Sequence, residues 1–245
     1  MQAARMPMTL LCAAALALPA AGAAAPALYM NNLAPFIYTD GGVRRGVIYE
    51  QLEQMARRGG SAYDITPLPF NRLVAQLDSA PDTLAVMWRL PENEARYQWI
   101  AKLFEDKMVL AVRNGSRFDI SSAQAAATLR IGVVLGSPAE VIARRLNFAH
   151  IEATASAESN ARKLALGRID AWIAVPAVIA EGQAAIGGAM ADLRLGDKIA
   201  DVSLYLSCSR RCDGVDLGRW RAAAEQMRKD GSRERILRRY RYQPP

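Results

Sequence analysis

The stretch TLAVMWRLPENEARYQW (residues 83–99) contains the transition that best indicates the fold. Its first part, residues 83–88, is a continuous apolar run, which is typical of a strand buried on both faces. Glu92 and Glu94 follow, and acidic residues suit the first turn of a helix because of the helix dipole. A buried strand that leads directly into a helix indicates a parallel sheet covered by helices.

The same alternation of strand-like and helix-like segments continues on both sides of this stretch. The remaining strand-like segments are 27–30, 62–69, 106–113, 129–134, 169–174 and 201–208. The helix-like segments are 46–60, 70–79, 138–148, the region around Ala161 and 217–242, the last broken at Gly231. Because the pattern falls into two sets joined near residues 112–116, we predict an α/β protein with mainly parallel sheets, two lobes and a cleft between them.

Residues 1–23 have the features of a secretory signal peptide. Arg5 precedes the apolar run MTLLCAAALALPAAGAAA (8–25), and Ala21-Gly22-Ala23 suits signal peptidase. The run is too short before Pro19 and Gly22 for a membrane anchor. At Leu11-Cys12, leucine stands where a lipoprotein needs a small residue. We therefore predict export to the periplasm with cleavage near Ala23, which changes the net charge from +7 to +6 because one arginine is removed.

Cys208 and Cys212 remain after this cleavage, in LSCSRRCDG. Two close cysteines in an oxidising compartment are expected to form a disulfide, and this short loop would stabilise the fold by about 2 kcal/mol. A zinc site needs more ligands, and the single histidine, His150, is distant in sequence. No metal and no cofactor is predicted.

Six short stretches, in this order, resemble the bacterial extracellular solute-binding proteins of family 3, the polar amino-acid type with the type 2 periplasmic-binding fold. They are APFIYTDGGVRRGVIYEQL (34–52), LPFNRLVAQL (68–77), RLPENEARYQWIAKLF (89–104), LRIGVVLGSPAE (129–140), LALGRIDAWIA (164–174) and MRKDGSRERILRRY (227–240). The resemblance implies a Venus-flytrap receptor, a monomer that captures a small solute for the membrane permease of an ABC importer. It further implies lobe I from residues 24–111 plus 205–245 and lobe II from 112–204.

Trp88 and Arg89 lie at the end of the predicted strand, where ligands of open α/β sheets bind. Both are therefore predicted to face the cleft. Arginine can pair bidentately with a carboxylate, which would make Arg89 the main ligand contact. The alternative is an ion pair at the surface with Glu92 or Glu94.

The family resemblance implies further ligand contacts. Gly136 and Ser137 resemble the backbone and hydroxyl donors of the second lobe, although Ser137 could equally be a simple helix N-cap. Phe36 and Tyr38 resemble cleft aromatics, with a core position as the alternative for Phe36. Phe70 begins the family's Pro-aromatic-x-Arg helix.

Two positions depart from the family pattern. Asn93 stands where the family usually has the arginine that holds the α-carboxylate, although it remains a candidate contact. Val175 stands where an aspartate usually holds the α-amino group. Since valine cannot pair with an ammonium group, a carboxylate-bearing or aromatic solute without a free amine is expected rather than an ordinary amino acid.

Other functions have less support in the sequence. One histidine and no free cysteine nucleophile leave little material for nucleophilic catalysis. Some proteins of this fold are dehydratases, and Glu92 and Glu94 are the possible acid/base pair. The basic tail RERILRRYRY (233–242) is typical of nucleic-acid binding, but export removes that partner. A ligand-sensing module of a signalling system remains the alternative to transport.

Overall fold

The computed structural model describes residues 27–59 and 63–242. The predicted signal peptide lies outside these residues. No helix in the described part of the chain combines the length and apolar character that crossing a bilayer requires.

The described residues form an α/β fold. Its strands are β1 (Ala27–Met30), β2 (Tyr38–Asp40), β3 (Val43–Arg45), β4 (Asp64–Pro67), β5 (Leu84–Arg89), β6 (Gln98–Arg113), β7 (Arg130–Val134), β8 (His150–Thr154), β9 (Ala171–Ala174) and β10 (Leu193–Cys208). Its α-helices are α1 (Val47–Gly59), α2 (Phe70–Ser79), α3 (Pro138–Arg145), α4 (Ala157–Ala165), α5 (Pro176–Ala185), α6 (Leu217–Lys229) and α7 (Ser232–Arg239). The predicted alternation of strands and helices is confirmed.

Two long strands join the two halves of the molecule. The sheet order is β4-β1-β5-β10-β6-β9-β7-β8. Pairing is parallel among β4, β1 and β5 and among β9, β7 and β8, whereas β10 and β6 pair antiparallel with each other and with their neighbours β5 and β9. We call β1, β4 and β5 with α1, α2, α6 and α7 the first half, and β7, β8 and β9 with α3, α4 and α5 the second half. β10 pairs with β5 through its last residues, while β6 pairs with β9 near its own end. The strands predicted at 106–113 and 201–208 are therefore parts of two strands of 16 residues each.

The helix predicted after β5 is absent from this described segment. Pro91–Asn93 forms a single 3₁₀ turn, and β6 begins five residues later. The Asn93 side chain closes the turn, since its Oδ1 accepts from the Leu90 N–H at 2.9 Å and its Nδ2 donates to the Trp88 carbonyl at 2.8 Å. Such local side-chain bonds compete with helix formation.

The C-terminal helices cover the first half with their apolar faces. Trp220 and Met227 of α6 are buried beside α1, and Ile236 and Leu237 of α7 are buried as helical spacing predicts. Tyr240 ties this segment to α1, because its hydroxyl accepts from the Gly46 N–H and donates to Glu50. Arg235, Arg238 and Arg239 lie on the exposed side of α7, whereas the Arg233 side chain is 17% exposed.

The predicted disulfide between Cys208 and Cys212 is present. Both cysteines are buried, and Cys208 ends β10 beside Leu84 at the start of β5. The crosslink thus lies at the opposite end of β5 from Arg89.

Replacing both Cys208 and Cys212 with serine is expected to lower the free energy of unfolding by about 2 kcal/mol, because the unfolded chain gains the freedom that a short crosslink removes. Urea unfolding of the wild type and the double variant measures this. Adding a reductant should destabilise the wild type by the same amount and leave the variant unchanged. Equal stability of the wild type without reductant and the double variant would contradict the prediction.

Candidate functional site

A cavity lies between the two halves. Its volume is about 70 Å³. From the first half and β6 it is lined by Asn31, Leu33, Phe70, Trp88 and Met108. From the second half and the residue before α5 it is lined by Val134, Leu135, Gly136, Ser137, Pro138, Ala139, Ile173, Ala174, Val175 and Val178. Because both halves contribute, a solute held there would contact both at once.

The cavity wall is mainly apolar. Asn31 and Ser137 supply the polar side chains among its lining residues, and none of these lining residues is ionisable. The wall therefore offers hydrogen-bond donors and acceptors but no charge. This composition favours burial of apolar surface over ion pairing as the source of affinity.

Two helices begin at this cavity with similar sequences. Ser137 precedes Pro138 at the start of α3, and Val175 precedes Pro176 at the start of α5; neither N-cap residue makes a side-chain capping bond. The Ser137 Oγ is buried and has no hydrogen-bond partner. A buried hydroxyl without a partner is unfavourable, so a bound solute that accepts a hydrogen bond from Ser137 would stabilise the site.

The Gly136 N–H is not free for a ligand. It donates to Glu140 Oε2 at 2.8 Å, while the same carboxylate receives the Arg144 guanidinium. Burial opposes charge on Glu140, but the bonds from Arg144 and Gly136 prevail and lower its pKa. The Gly136 N–H, which the family resemblance implied as a donor to the ligand, therefore bonds to Glu140 in this structure.

Phe70 lies between three cavities of the cleft. It contributes to the central cavity and to two neighbouring ones, and its Cδ1 lies 3.2 Å from where a Cβ on Gly136 would be. Gly136 has φ +71°, a conformation in which glycine is favoured. A glycine thus permits the close approach of the two halves at Phe70.

Trp88 faces the central cavity from β5. Behind it, its ring makes edge contacts with Phe36 at 6.0 Å and Phe104 at 6.5 Å between centroids. Phe36 is 1% exposed and belongs to the core, as its alternative interpretation held. These ring contacts support Trp88 on the cavity wall.

Arg89 lies on the other face of β5, because side chains alternate along a strand. Its guanidinium pairs with Glu94, with Nε 2.8 Å from Oε2, and lies over the rings of Trp99 and Tyr205 at 5.5 and 5.0 Å. The bond to Arg89 lowers the pKa of Glu94. The expectation that Trp88 and Arg89 both face the cleft is thus not met, and Arg89 has the surface pairing of the alternative interpretation.

The structure brings together four of the eight predicted contacts in one cavity wall, namely Phe70, Trp88, Gly136 and Ser137. One of the two neighbouring cavities, which we call the adjoining cavity, is lined by Glu92, Asn93 and Arg96 among others, and Asn93 also closes its turn. Tyr38 lies on β2 outside the lining of the cavities described above. Their role in ligand binding stays a prediction. Asn31 was missed, although its place directly after β1 is the same strand-end signal that pointed to Arg89.

One ion pair crosses the cleft. Arg145 of α3 in the second half donates to Glu92 of the 3₁₀ turn in the first half, with Nη1 3.0 Å from Oε1. Both side chains are about 40% exposed, so the pair is screened by solvent. It links α3 directly to the 3₁₀ turn of the first half.

Glu92→Gln is expected to weaken solute binding about two- to fivefold, because exposed pairs contribute about 0.2–1 kcal/mol. Isothermal titration at low and at high salt tests this, and salt should reduce the difference between variant and wild type. Glu158→Gln is the matched control, since it breaks an exposed pair with Arg162 within one helix. An equal effect of both variants would contradict the role of the crossing pair.

The structure is similar to solved structures of binding proteins. The arginine-, lysine-, histidine-binding protein ArtJ from Geobacillus stearothermophilus superposes with a TM-score of 0.76 at 19% identity, covering 90% of this chain and 96% of that one. A histidine kinase sensor domain with similarity to periplasmic binding proteins gives 0.77 at 14%, covering 88% and 95%. The ancestral amino acid-binding protein AncCDT-1, a precursor of cyclohexadienyl dehydratase, gives 0.73 at 17%, covering 88% and 94%.

No protein-family model matches the chain, and no curated protein matches it in sequence. At these identities the structural likeness concerns the fold. It confirms the two-lobed periplasmic-binding fold that the family resemblance implied.

Proposed function

We propose that this protein is an exported solute-binding protein that holds a small solute between its two halves. The observation that carries the proposal is the central cavity, whose wall comes from both halves. Binding there would favour closure, since a solute that contacts both halves stabilises the closed arrangement by its differential affinity.

The long strands are the proposed hinge. Each of β6 and β10 has one end in each half, and they pair with each other along most of their length. A small twist at their middle would open the cleft without breaking either half. On this view lobe I comprises residues 24–111 plus 205–245 and lobe II comprises residues 112–204, as proposed from the family resemblance.

The proposed partner is the membrane permease of an ABC importer, to which a monomer delivers its solute in the periplasm. Solved neighbours such as an amino acid ABC transporter substrate-binding protein support this. The likeness to a histidine kinase sensor domain supports a second candidate, a ligand-sensing module. Co-purification of the tagged protein with a permease or with a receptor kinase from membranes separates the two.

An enzymatic function has less support from the geometry. AncCDT-1 is a precursor of a dehydratase, and such chemistry needs a general acid or base at the substrate. The residues lining the central cavity include no ionisable side chain. Glu92 reaches the adjoining cavity but pairs with Arg145, and Glu94 pairs with Arg89.

The solute proposed from the sequence bears a carboxylate and lacks a free amine. In the structure Arg89 is held by Glu94, so the hydroxyl of Ser137 and the first-turn N–H of Ala139 are the donors that α3 offers to such a group. Native mass spectrometry of the purified protein tests binding directly, because a bound solute adds its mass to the folded chain. A protein that carries no solute and is stabilised by none would contradict the proposed function.

Ser137→Ala is expected to weaken solute binding about two- to tenfold, as loss of one hydrogen bond costs about 0.5–1.5 kcal/mol. The unliganded variant should be as stable as the wild type, because the Ser137 hydroxyl has no partner in the protein. Ser156→Ala is the control: Ser156 caps α4 by accepting from the Ser159 N–H, so that variant should lose about 1 kcal/mol of stability and bind normally. Thermal unfolding with and without solute measures both effects, and the opposite pattern would refute the assignment.

A further inference from the structure

We infer that the solute is uncharged, with a small apolar body and a single polar group that accepts a hydrogen bond from Ser137. This inference rests on the proposed function and goes beyond it by assigning the class of solute. It differs from the sequence-based expectation of a carboxylate, which depended on Arg89 facing the cleft.

The first ground is the composition of the wall. Around the solute's position stand Met108, Ile173, Val175 and Val178, which are apolar, and Trp88, whose indole N–H is its one polar group. Of the two polar side chains in the lining, Asn31 and Ser137, Ser137 has a buried hydroxyl without a partner. Hydrogen bonds to neutral groups and much apolar contact therefore match this site.

The second ground is that charged groups around the cleft are already paired. Arg89 binds Glu94 on the far face of β5. Glu140 receives Arg144 and the Gly136 N–H. Arg96, at the adjoining cavity, pairs with Asp78. A charged solute would have to break one of these contacts or remain without a counter-ion.

The third ground is the energetic asymmetry between neutral and charged solutes. A charge moved from water to a dry apolar cavity loses its hydration, and only a partner of opposite charge compensates. An ammonium group would meet Val175 and the partial positive charge at the N-termini of α3 and α5, and a carboxylate would meet that partial charge but no cationic side chain in the lining. An uncharged amide or carbonyl loses far less hydration and can still satisfy Ser137.

Isothermal titration with four compounds that share an isobutyl group tests the inference. They are isovaleramide (neutral), isovalerate (anion), isoamylammonium (cation) and L-leucine (zwitterion). We expect isovaleramide to bind at least about tenfold more tightly than each charged compound near pH 7, since burial disfavours the charged form. Isovalerate should gain affinity below about pH 4, where a carboxyl group becomes protonated.

Ser137→Ala should weaken the binding of isovaleramide, so that the variant binds this amide no more tightly than a hydrocarbon of the same shape. Tighter binding of isovalerate, isoamylammonium or leucine than of the amide would overturn the inference while leaving the proposed function intact. So would a charged solute identified by mass spectrometry in the purified protein. If none of the compounds binds and no solute co-purifies, the proposed function itself fails.

Discussion

Val175→Asp is expected to lower the affinity for an uncharged solute by about thirtyfold or more, because the solute would displace water from the new carboxylate without offering it a charged partner, which costs several kcal/mol. Val175 is 2% exposed and lines the central cavity, so the new charge would face the solute. The same variant should gain affinity for isoamylammonium, whose charge compensates that of the aspartate. Titration of the amide and the amine against variant and wild type measures both changes.

The fold should tolerate this substitution because of where Val175 lies. It is the N-cap of α5 and makes no side-chain capping bond, whereas aspartate and asparagine are preferred N-caps. Val175→Asn is therefore the matched control: it has the shape and the capping capacity of aspartate without its charge. If Val175→Asn weakens binding of the amide as much as Val175→Asp does, the loss of affinity comes from the shape of the new side chain rather than from its charge.

Gly46→Ala is expected to destabilise the protein by about 3–5 kcal/mol, from a steric clash and from an unfavourable backbone conformation together. A Cβ at Gly46 would lie 2.2 Å from the Phe36 carbonyl oxygen, and φ at Gly46 is +122°. Its N–H also donates to the Tyr240 hydroxyl, so a shift would loosen α7. Urea unfolding measures the loss of stability.

Gly187→Ala separates the two causes. Gly187 also has a positive φ, +75°, but a Cβ there would meet nothing within 4 Å. This control should lose only about 1–2 kcal/mol, the cost of a left-handed residue with a side chain. Similar losses at both positions would show that the contact with Phe36 is unimportant. Because Phe36 supports Trp88, Gly46→Ala should also weaken solute binding in the fraction that folds.

Local patterns in the sequence predicted most of the fold. The apolar run at 83–88 became β5, and the spacing of Ile48, Leu52 and Met55 became the buried face of α1. These features depend on neighbours within a few residues, which is the range over which periodicity carries information. The break at Gly231 is confirmed for the same reason, since α6 and α7 meet there.

The length of β6 and β10 was missed because it depends on pairing between segments that are distant in sequence. Residues 98–105 pair with residues 203–208, and residues 193–200 pair with residues 108–113, so each extension becomes strand against the predicted part of the other strand. The helix expected after β5 failed for a local reason: Asn93 bonds the backbone of Leu90 and Trp88 and closes a turn instead.

The sequence by itself determined the order of strands and helices, the disulfide, and the departures at Asn93 and Val175 from the family pattern, because these depend on residue identity and spacing. Only the tertiary structure decided that Trp88 faces the cavity while Arg89 turns to Glu94, Trp99 and Tyr205, and that Phe70 meets Gly136 across the cleft. The physical reason is that the charge and shape of a site are set by which residues from distant segments meet, and by which of their polar groups have already found partners.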